Sequence, residues 1–381
     1  MLIDGTQYRT IWLDDDGAVR IIDQRQLPFR VEVETIRTSQ EMVAAIRDMH
    51  VRGAPLIGAA AAYGIYLACL ELAAGDPSAF DAGLERAMDA LNAARPTAVN
   101  LRWAIERQRA ALATCPRIDE KVRAARRTAD AITEEDVAIT SALGRHGADL
   151  LASMSAAREG RPLNMLTHCN AGWLATVDHG TVTAVVYEAA SRGMHLHVWV
   201  DETRPRNQGA LTSWELTQNN VANTVICDNA GGHLMQHGKV DVVIVGTDRT
   251  ARNGDVANKI GTYLKALAAR DNGVPFYVAL PSPSFDPAMP AGVGAIPIEE
   301  RDPAEVLRVT GLRDGRVQDV AVYAEGTVAA NYAFDVTPAA LVTGYITEHG
   351  VFTADELAER LAAAAPDTPR TETPHRGATC G

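Results

Sequence analysis

At 381 residues, with 47% apolar and 22% charged side chains, the chain exceeds what one hydrophobic core usually supports and reads as two packed domains rather than a disordered polymer. Its formal charge of −12 excludes a broad nucleic-acid surface, which needs clustered Lys and Arg, yet leaves room for a small anion held by a few local cations. Five irregularly spaced cysteines, Cys69, Cys115, Cys169, Cys227 and Cys380, include no Cys-x-x-Cys and read as reduced thiols of a cytoplasmic protein. The start Met1-Leu2-Ile3-Asp4-Gly5 carries no targeting pattern, and no stretch reads as the ~20 apolar residues that span a bilayer.

In chain order, residues 10–34 read as a small antiparallel meander: Ile11-Trp12-Leu13, Val19 to Ile22 and Phe29 to Val33, the first two joined by Asp14-Asp15-Asp16-Gly17. Thr38-Ser39-Gln40-Glu41 fits a capping box. Helical spacing of apolar residues follows to about residue 110, and Thr133 before Asp136 predicts a fresh start for a helix over Val137 to Leu151. From Leu163 short apolar runs alternate with helix-like stretches, the pattern of a parallel sheet with crossover helices. The predicted strands are Leu163–Thr167, His195–Val200, Thr224–Cys227, Val240–Val245 and Pro275–Leu280. The expectation is an α/β fold: a mostly helical N-terminal domain with a small antiparallel sheet (1–155), a sheet domain (156–366) and a flexible tail (367–381) in which Cys380 is incidental.

Each predicted strand is followed by polar residues: His168-Cys169-Asn170, Asp201-Glu202-Thr203-Arg204, Asp228-Asn229, Gly246-Thr247-Asp248 and Pro281-Ser282. Open α/β sheets place ligands at that carboxyl edge. Any one such loop is ordinary, since strand-to-helix loops are polar and Asp or Asn caps the next helix; the series together points to a site.

Cys169 stands just before Asn170-Ala171-Gly172, where N–H groups at a helix start would stabilise a thiolate; an inert core cysteine is the competing reading. Asp248 follows Val242-Val243-Ile244-Val245-Gly246-Thr247, a setting whose poor solvation favours the neutral acid, against a helix cap or a partner for Arg249. Arg52-Gly53-Ala54-Pro55 before a helix near Leu56 is a phosphate-binding arrangement, although glycine before proline is also common punctuation. Arg95 before Pro96-Thr97-Ala98-Val99-Asn100, and Lys259 after Asn258 at the opening of another helix, are further cations that alone would read as surface charges. His195 and His197 share a strand face without further ligands at a recognised spacing, so no metal is expected. Neither Gly-x-Gly-x-x-Gly nor a P-loop opens a helix, which argues against a dinucleotide or nucleoside triphosphate.

Taken jointly from Arg52 to Thr353, these segments resemble the methylthioribose-1-phosphate isomerase family, sugar-phosphate isomerases homologous to the regulatory subunits of the eukaryotic initiation-factor exchange complex. The resemblance also rests on Asp201-Glu202-Thr203-Arg204-Pro205 with Gln208-Gly209-Ala210, on Gly246 to Thr262, and on Phe334-Asp335-Val336-Thr337-Pro338. It implies catalysis by Cys169 and Asp248, with Arg52, Gly53, Ala54, Arg95, Gln208, Asn258 and Lys259 holding the phosphorylated sugar. It further implies a Rossmann-like C-terminal domain, a homodimer, a place in methionine salvage and no cofactor. The expected reaction is aldose–ketose isomerisation of a 5-substituted 5-deoxyribose 1-phosphate, methylthio by default, with 5-deoxy and 5-halo substrates as alternatives. A non-catalytic regulatory subunit of the same fold and a ribose 1,5-bisphosphate isomerase are the competing readings; the latter needs a second cation cluster that the sequence does not display. Three departures from the family pattern bear on the pocket. The stretch after Gln208-Gly209-Ala210 is one residue shorter and lacks an arginine, Arg102 replaces an aromatic, and Pro281-Ser282-Pro283-Ser284 replaces Ser-Thr-x-Asp.

Overall fold

Short extended runs and one capped helix begin the chain. In the computed structural model, which describes residues 1–95, 98–155 and 160–364, Ile11–Leu13, Val19–Ile22 and Val33–Ile36 form an antiparallel sheet. The third strand lies a few residues later than the apolar pattern of Phe29 to Val33 suggested. The Thr38 capping box is present: its hydroxyl accepts from the Glu41 N–H at 3.1 Å while the Glu41 carboxylate accepts from the Thr38 N–H at 3.0 Å.

The helix Ala54–Ala73 corrects one expectation, because it is long and apolar enough to cross a membrane. Here it is a core element, buried from Leu56 through Cys69, and the helices Phe80–Ala94 and Val99–Ala113 pack around it. Thr133 does not start a helix either. A single helix runs Ile118–Ser155, and the Thr133 hydroxyl is satisfied inside it by the Ala129 carbonyl at 2.8 Å, the back-bond that lets threonine sit mid-helix. The first half of this helix, through Ala124, Ala129 and Ile132, packs into the helical core; the second half, through Leu143, Ala148 and Leu151, packs into the core beneath the large sheet.

That sheet has seven strands. From Leu163–Thr167 the chain builds outward through Leu196–Asp201 to Asn223–Ile226, then returns to the other side of the first strand with Val242–Val245, Phe276–Ala279 and Gly344–Thr347. These six are parallel, and Gly350–Phe352 adds an antiparallel edge. The five predicted strands are present within one or two residues at each end; the last two were not foreseen. Val242–Val245 is buried throughout, as expected of a strand covered on both faces. The order of strand addition reverses between Leu163–Thr167 and Val242–Val245, which opens a crevice beyond their carboxyl ends.

A smaller sheet sits at that edge. Arg249–Ala251 and Val256–Lys259 form an antiparallel hairpin flanked by Phe285–Asp286 and Phe334–Thr337. Lys259 therefore ends a strand rather than opening a helix. Asn253-Gly254 turns the chain back, Asp335 accepts from the Gly261 and Tyr263 N–H groups, and the helix begins only at Thr262. Residues 287–333 form an insertion with a protruding hairpin, Arg308–Arg313 with Arg316–Ala321. Pro96, Thr97 and the predicted tail, with Cys380, lie outside the described residues.

Candidate active site

Cys169 leaves the strand Leu163–Thr167 in a left-handed conformation, φ +72°, and the loop after Asp201 and the helix Gln208–Gln218 hold it there. Its N–H donates to the Thr203 hydroxyl at 2.9 Å, that hydroxyl donates to the Asp201 carbonyl at 3.0 Å, and the Thr212 hydroxyl donates to the Cys169 carbonyl at 3.0 Å. No helix starts at Asn170; the following turn is the short helix Trp173–Ala175, and Val182–Ser191 comes later. Of the expected helix-start stabilisation, only the adjacent Asn170 N–H contributes. Burial pushes the thiol up from its ordinary value, opposed by Lys259 and Arg52, so the neutral thiol is the resting form.

Asp248 follows the next strand over. Gly246 lets that loop approach, since a Cβ there would lie 2.7 Å from the Ala171 side chain. Asp248 is neither a helix cap nor the partner of Arg249, which pairs with Asp286 instead. Burial raises its carboxyl group above the usual range, with Lys259, Arg95 and Arg52 pulling it back.

Both side chains face one cleft of about 780 Å³, and every site residue expected from the sequence lines it: Arg52, Gly53, Ala54, Arg95, Gln208, Asn258 and Lys259 as well as the thiol and the acid. Gly53 has φ +102°, and a Cβ on it would lie 2.4 Å from the Ala175 backbone. Its loop, and Arg52 with it, thereby presses against the turn that follows Cys169. The Arg52 guanidinium donates to the Asn170 carbonyl at 3.2 Å and to the Asn170 side-chain oxygen, while its Nε has no protein partner. Gln208 Oε1 is likewise buried and unpartnered, and with the shorter stretch after Ala210 folded as helix, Gln208 still lines the cleft. The Lys259 ammonium sits 4.6 Å from the Phe334 ring centre.

Sequence reasoning missed Arg206, Glu299 and Arg301, which also line the cleft. Glu305, held at about 2 chiefly by its bonds to Arg301 and Arg206 against the effect of burial, joins Arg206 at 2.7 Å and Arg301 at 2.7 Å; Glu299 joins Arg301 at 2.8 Å and Arg95 at 3.4 Å. The only signal was the change from Ile296-Pro297-Ile298 to Glu299-Glu300-Arg301. The lining thus carries five cationic and two acidic side chains inside a chain of net charge −12, a local inversion suited to an anion. Beside it lies an annex of about 580 Å³ that shares Gly53, Ala54, Arg95, Asp248 and Phe334, and is otherwise walled by Ile57, Ala98, Ala257, Ile296, Pro297 and Arg249. Of the residues departing from the family pattern, Pro281 lines the cleft, while Arg102 lies exposed outside it.

Below the cleft, His168 Nδ1 lies 2.8 Å from Asp201 and Nε2 2.8 Å from the Ile260 carbonyl. Lys265 reaches the same Asp201 at 3.1 Å. His168, Asp201 and Asp228 approach closely enough to suggest a metal, but these ion pairs and hydrogen bonds already occupy His168 and one oxygen of Asp201. Asp228 is likewise engaged, accepting from the Thr203 and Arg204 N–H groups at 2.7 Å each.

The family model for the initiation factor 2 subunit family matches residues 50–354. The methylthioribose-1-phosphate isomerase of Acidiphilium cryptum is 56% identical over 96% of this chain and 98% of its own, and that of Desulfatibacillum aliphaticivorans 54% identical over 96% and 99%. The chain belongs to the methylthioribose-1-phosphate isomerase family. Among solved structures, the 5-methylthioribose 1-phosphate isomerase of Pyrococcus horikoshii superposes with a TM-score of 0.81 at 39% identity, covering 94% of this chain and 97% of its own. A translation initiation factor eIF-2B delta subunit from A. fulgidus reaches 0.78, also at 39% identity, covering 93% and 100%. The chain is thus an isomerase by family, with a mixed α/β fold built on a mainly parallel sheet.

Proposed function

We propose that this enzyme converts 5-methylthioribose 1-phosphate to 5-methylthioribulose 1-phosphate, with Asp248 as the acid and Cys169 as its partner. The observation that carries the reading is the pairing of a cationic cleft holding a half-buried thiol and a half-buried carboxyl group with a largely apolar annex next to Asp248. Arg52, Arg95 and Lys259 would take the phosphate, the unpartnered Gln208 Oε1 a sugar hydroxyl, and the annex the methylthio group. Because phosphate masks the anomeric carbon, the C1–O4 bond must break before any carbonyl exchange. Asp248, whose carboxyl group burial raises above the usual range, gives its proton to the ring oxygen as that bond breaks. Hydrogen then moves with its electron pair from C2 to C1, and the C2 hydroxyl proton passes to the Asp248 carboxylate, restoring the acid. A cleft that holds the Cys169 thiol neutral favours this hydride route over abstraction by a thiolate, the polarisable sulfur supporting positive charge as it passes from C1 to C2. Solvent deuterium at C1 of the ketose would instead mark a proton route.

A coupled ketose-phosphate assay across 5-methylthio, 5-deoxy, 5-fluoro and 5-phospho substrates tests the specificity, with 5-methylthio expected to give the highest kcat/KM. Cys169→Ser and Asp248→Asn should each lower turnover by roughly a hundredfold or more, as loss of a positioned acid/base group does. Full turnover by both variants, or none by the wild type, would reject the reading and favour a regulatory subunit. We further infer a cytoplasmic homodimer with a Rossmann-like catalytic domain. The dimer is supported by apolar side chains left open on and after the protruding hairpin, Leu312, Val320, Val322, Tyr323 and Val328, and light scattering on the purified chain checks it.

A further inference from the structure

Glu215 lies in the middle of the helix Gln208–Gln218, and its carboxylate is completely buried. Among the described residues it forms no ion pair. Its oxygens accept three N–H bonds instead: Oε1 from the Asn170 side chain at 2.8 Å and the Leu174 backbone at 3.1 Å, and Oε2 from the Trp173 backbone at 2.7 Å. Gly172 makes room for it, since a Cβ there would lie 2.1 Å from Oε2. Burying a carboxylate without a directly paired cation is costly, the Arg52 charge acting on it only from beyond Asn170, and simple packing does not require a carboxylate there. Once ionised, which burial delays to about 7, the group only accepts and so matches the three donors that converge on it; an amide would turn an N–H toward one of them at every pH.

The network also fixes which way Asn170 points. Its Nδ2 faces two acceptors, Glu215 Oε1 and the Thr212 hydroxyl at 3.1 Å, so its Oδ1 is turned toward the Arg52 guanidinium. We propose that Glu215 is a positioning residue for anion binding: by orienting the Asn170 amide it aims Arg52 into the cleft. This rests on reading the cleft as a sugar-phosphate site, with Arg52 as one of its phosphate ligands. In Glu215→Gln the amide places an N–H against the Trp173 N–H in one orientation, or against Asn170 and Leu174 in the other. The second arrangement breaks the Asn170 bond outright, and the first pushes the side chain away from Trp173 and shifts the oxygen that Asn170 donates to; each loosens Asn170 and with it the guanidinium.

The test is a double-mutant cycle on the full-length enzyme, with inorganic phosphate as the probe and binding read by calorimetry, alongside KM and kcat. Glu215→Gln and Arg52→Ala should each weaken phosphate binding at least tenfold, and the double variant should bind within twofold of the weaker single variant, because both remove the same contact. Effects that multiply, or wild-type phosphate affinity in Glu215→Gln, would overturn the proposal. If Glu215→Gln does not fold, Asn170→Ala decides. That variant leaves both backbone bonds to Glu215 in place and should show the same loss and the same non-additivity with Arg52→Ala; wild-type affinity would again overturn the proposal. Because the probe is phosphate, the cycle is read whether or not any ribose 1-phosphate is turned over. Failure of the substrate assignment is thereby distinguished from failure of the Glu215 relay.

Discussion

Replacing Gly53 by alanine tests whether close contact between the Arg52 loop and the turn after Cys169 builds the cleft. Gly53 has φ +102° and ψ +137°, a region that L-residues populate at a cost of about 1–3 kcal/mol. The added methyl carbon would lie 2.4 Å from Ala175 Cα and from its carbonyl oxygen, and 2.6 Å from its Cβ. Two of these contacts are backbone and cannot rotate away, so overpacking adds about 1–3 kcal/mol. The total, about 2–6 kcal/mol, is a large share of the roughly 5–15 kcal/mol that stabilises a typical domain. Urea unfolding followed by circular dichroism should show this loss. Because the displacement carries Arg52 away from Asn170, KM for the ribose 1-phosphate should rise at least tenfold. Stability within about 0.5 kcal/mol of wild type, together with an unchanged KM, would refute both the steric argument and the role of this loop.

Asp136 is buried against the Val177 N–H at 2.7 Å, and burial, helped by Asp178, raises it to about 7. The folded chain therefore keeps a proton that the unfolded chain releases near 3.8, so its contribution is fully present below that pH and is lost as pH rises through about 7, a difference of about 4 kcal/mol. Glu215, also raised to about 7, acts in the same window; Asp136→Asn should thus flatten part of the fall in unfolding free energy between pH 4 and 7, and an unchanged slope would contradict it. Cys169 should be alkylated by iodoacetamide with a midpoint above the ordinary thiol value of 9.0, and Lys259→Met should move that midpoint higher still by removing the cation that most favours the thiolate. Peptide-resolved mass spectrometry separates this thiol from the exposed Cys227, and a midpoint at or below 9 would show that burial does not dominate.

The large sheet was legible because its inner strands are continuous apolar runs, and the thiol and acid were legible because each stands where such a run stops. Elsewhere the local signals misled for identifiable reasons. Asn258 and Lys259 precede a helical pattern, yet pairing with Phe334–Thr337, far along the chain, makes them strand residues. Thr133 has the chemistry of a cap, but nothing in its neighbours breaks the helix around it. The apolar density of Ala54–Ala73 is easily overlooked as a membrane-length run because nine of its twenty residues are alanine or glycine. Glu215 sits in Ser213-Trp214-Glu215-Leu216, where a charged residue reads as a solvated face; only the tertiary approach of Gly172 and Asn170 shows it as interior. Arg206 and Arg301 resemble surface charges until Glu305 is seen to tie two distant loops together.

The helix Ile118–Ser155 behaves as a shared beam cemented at either end into a different hydrophobic interior. Gly144 and Gly147 bring its second half against Ala184 and Val185 so closely that a methyl group at either would collide. Jaw-like rotation of the two halves about a hinge would have to shear that seam or bend the beam. The chain between residues 287 and 333 is tied to the rim of the cleft by the ion pairs Glu305–Arg206 and Glu299–Arg95 and by the Gly292 and Val293 N–H bonds to Asp255, so raised salt should loosen the ion pairs while leaving the two interiors joined.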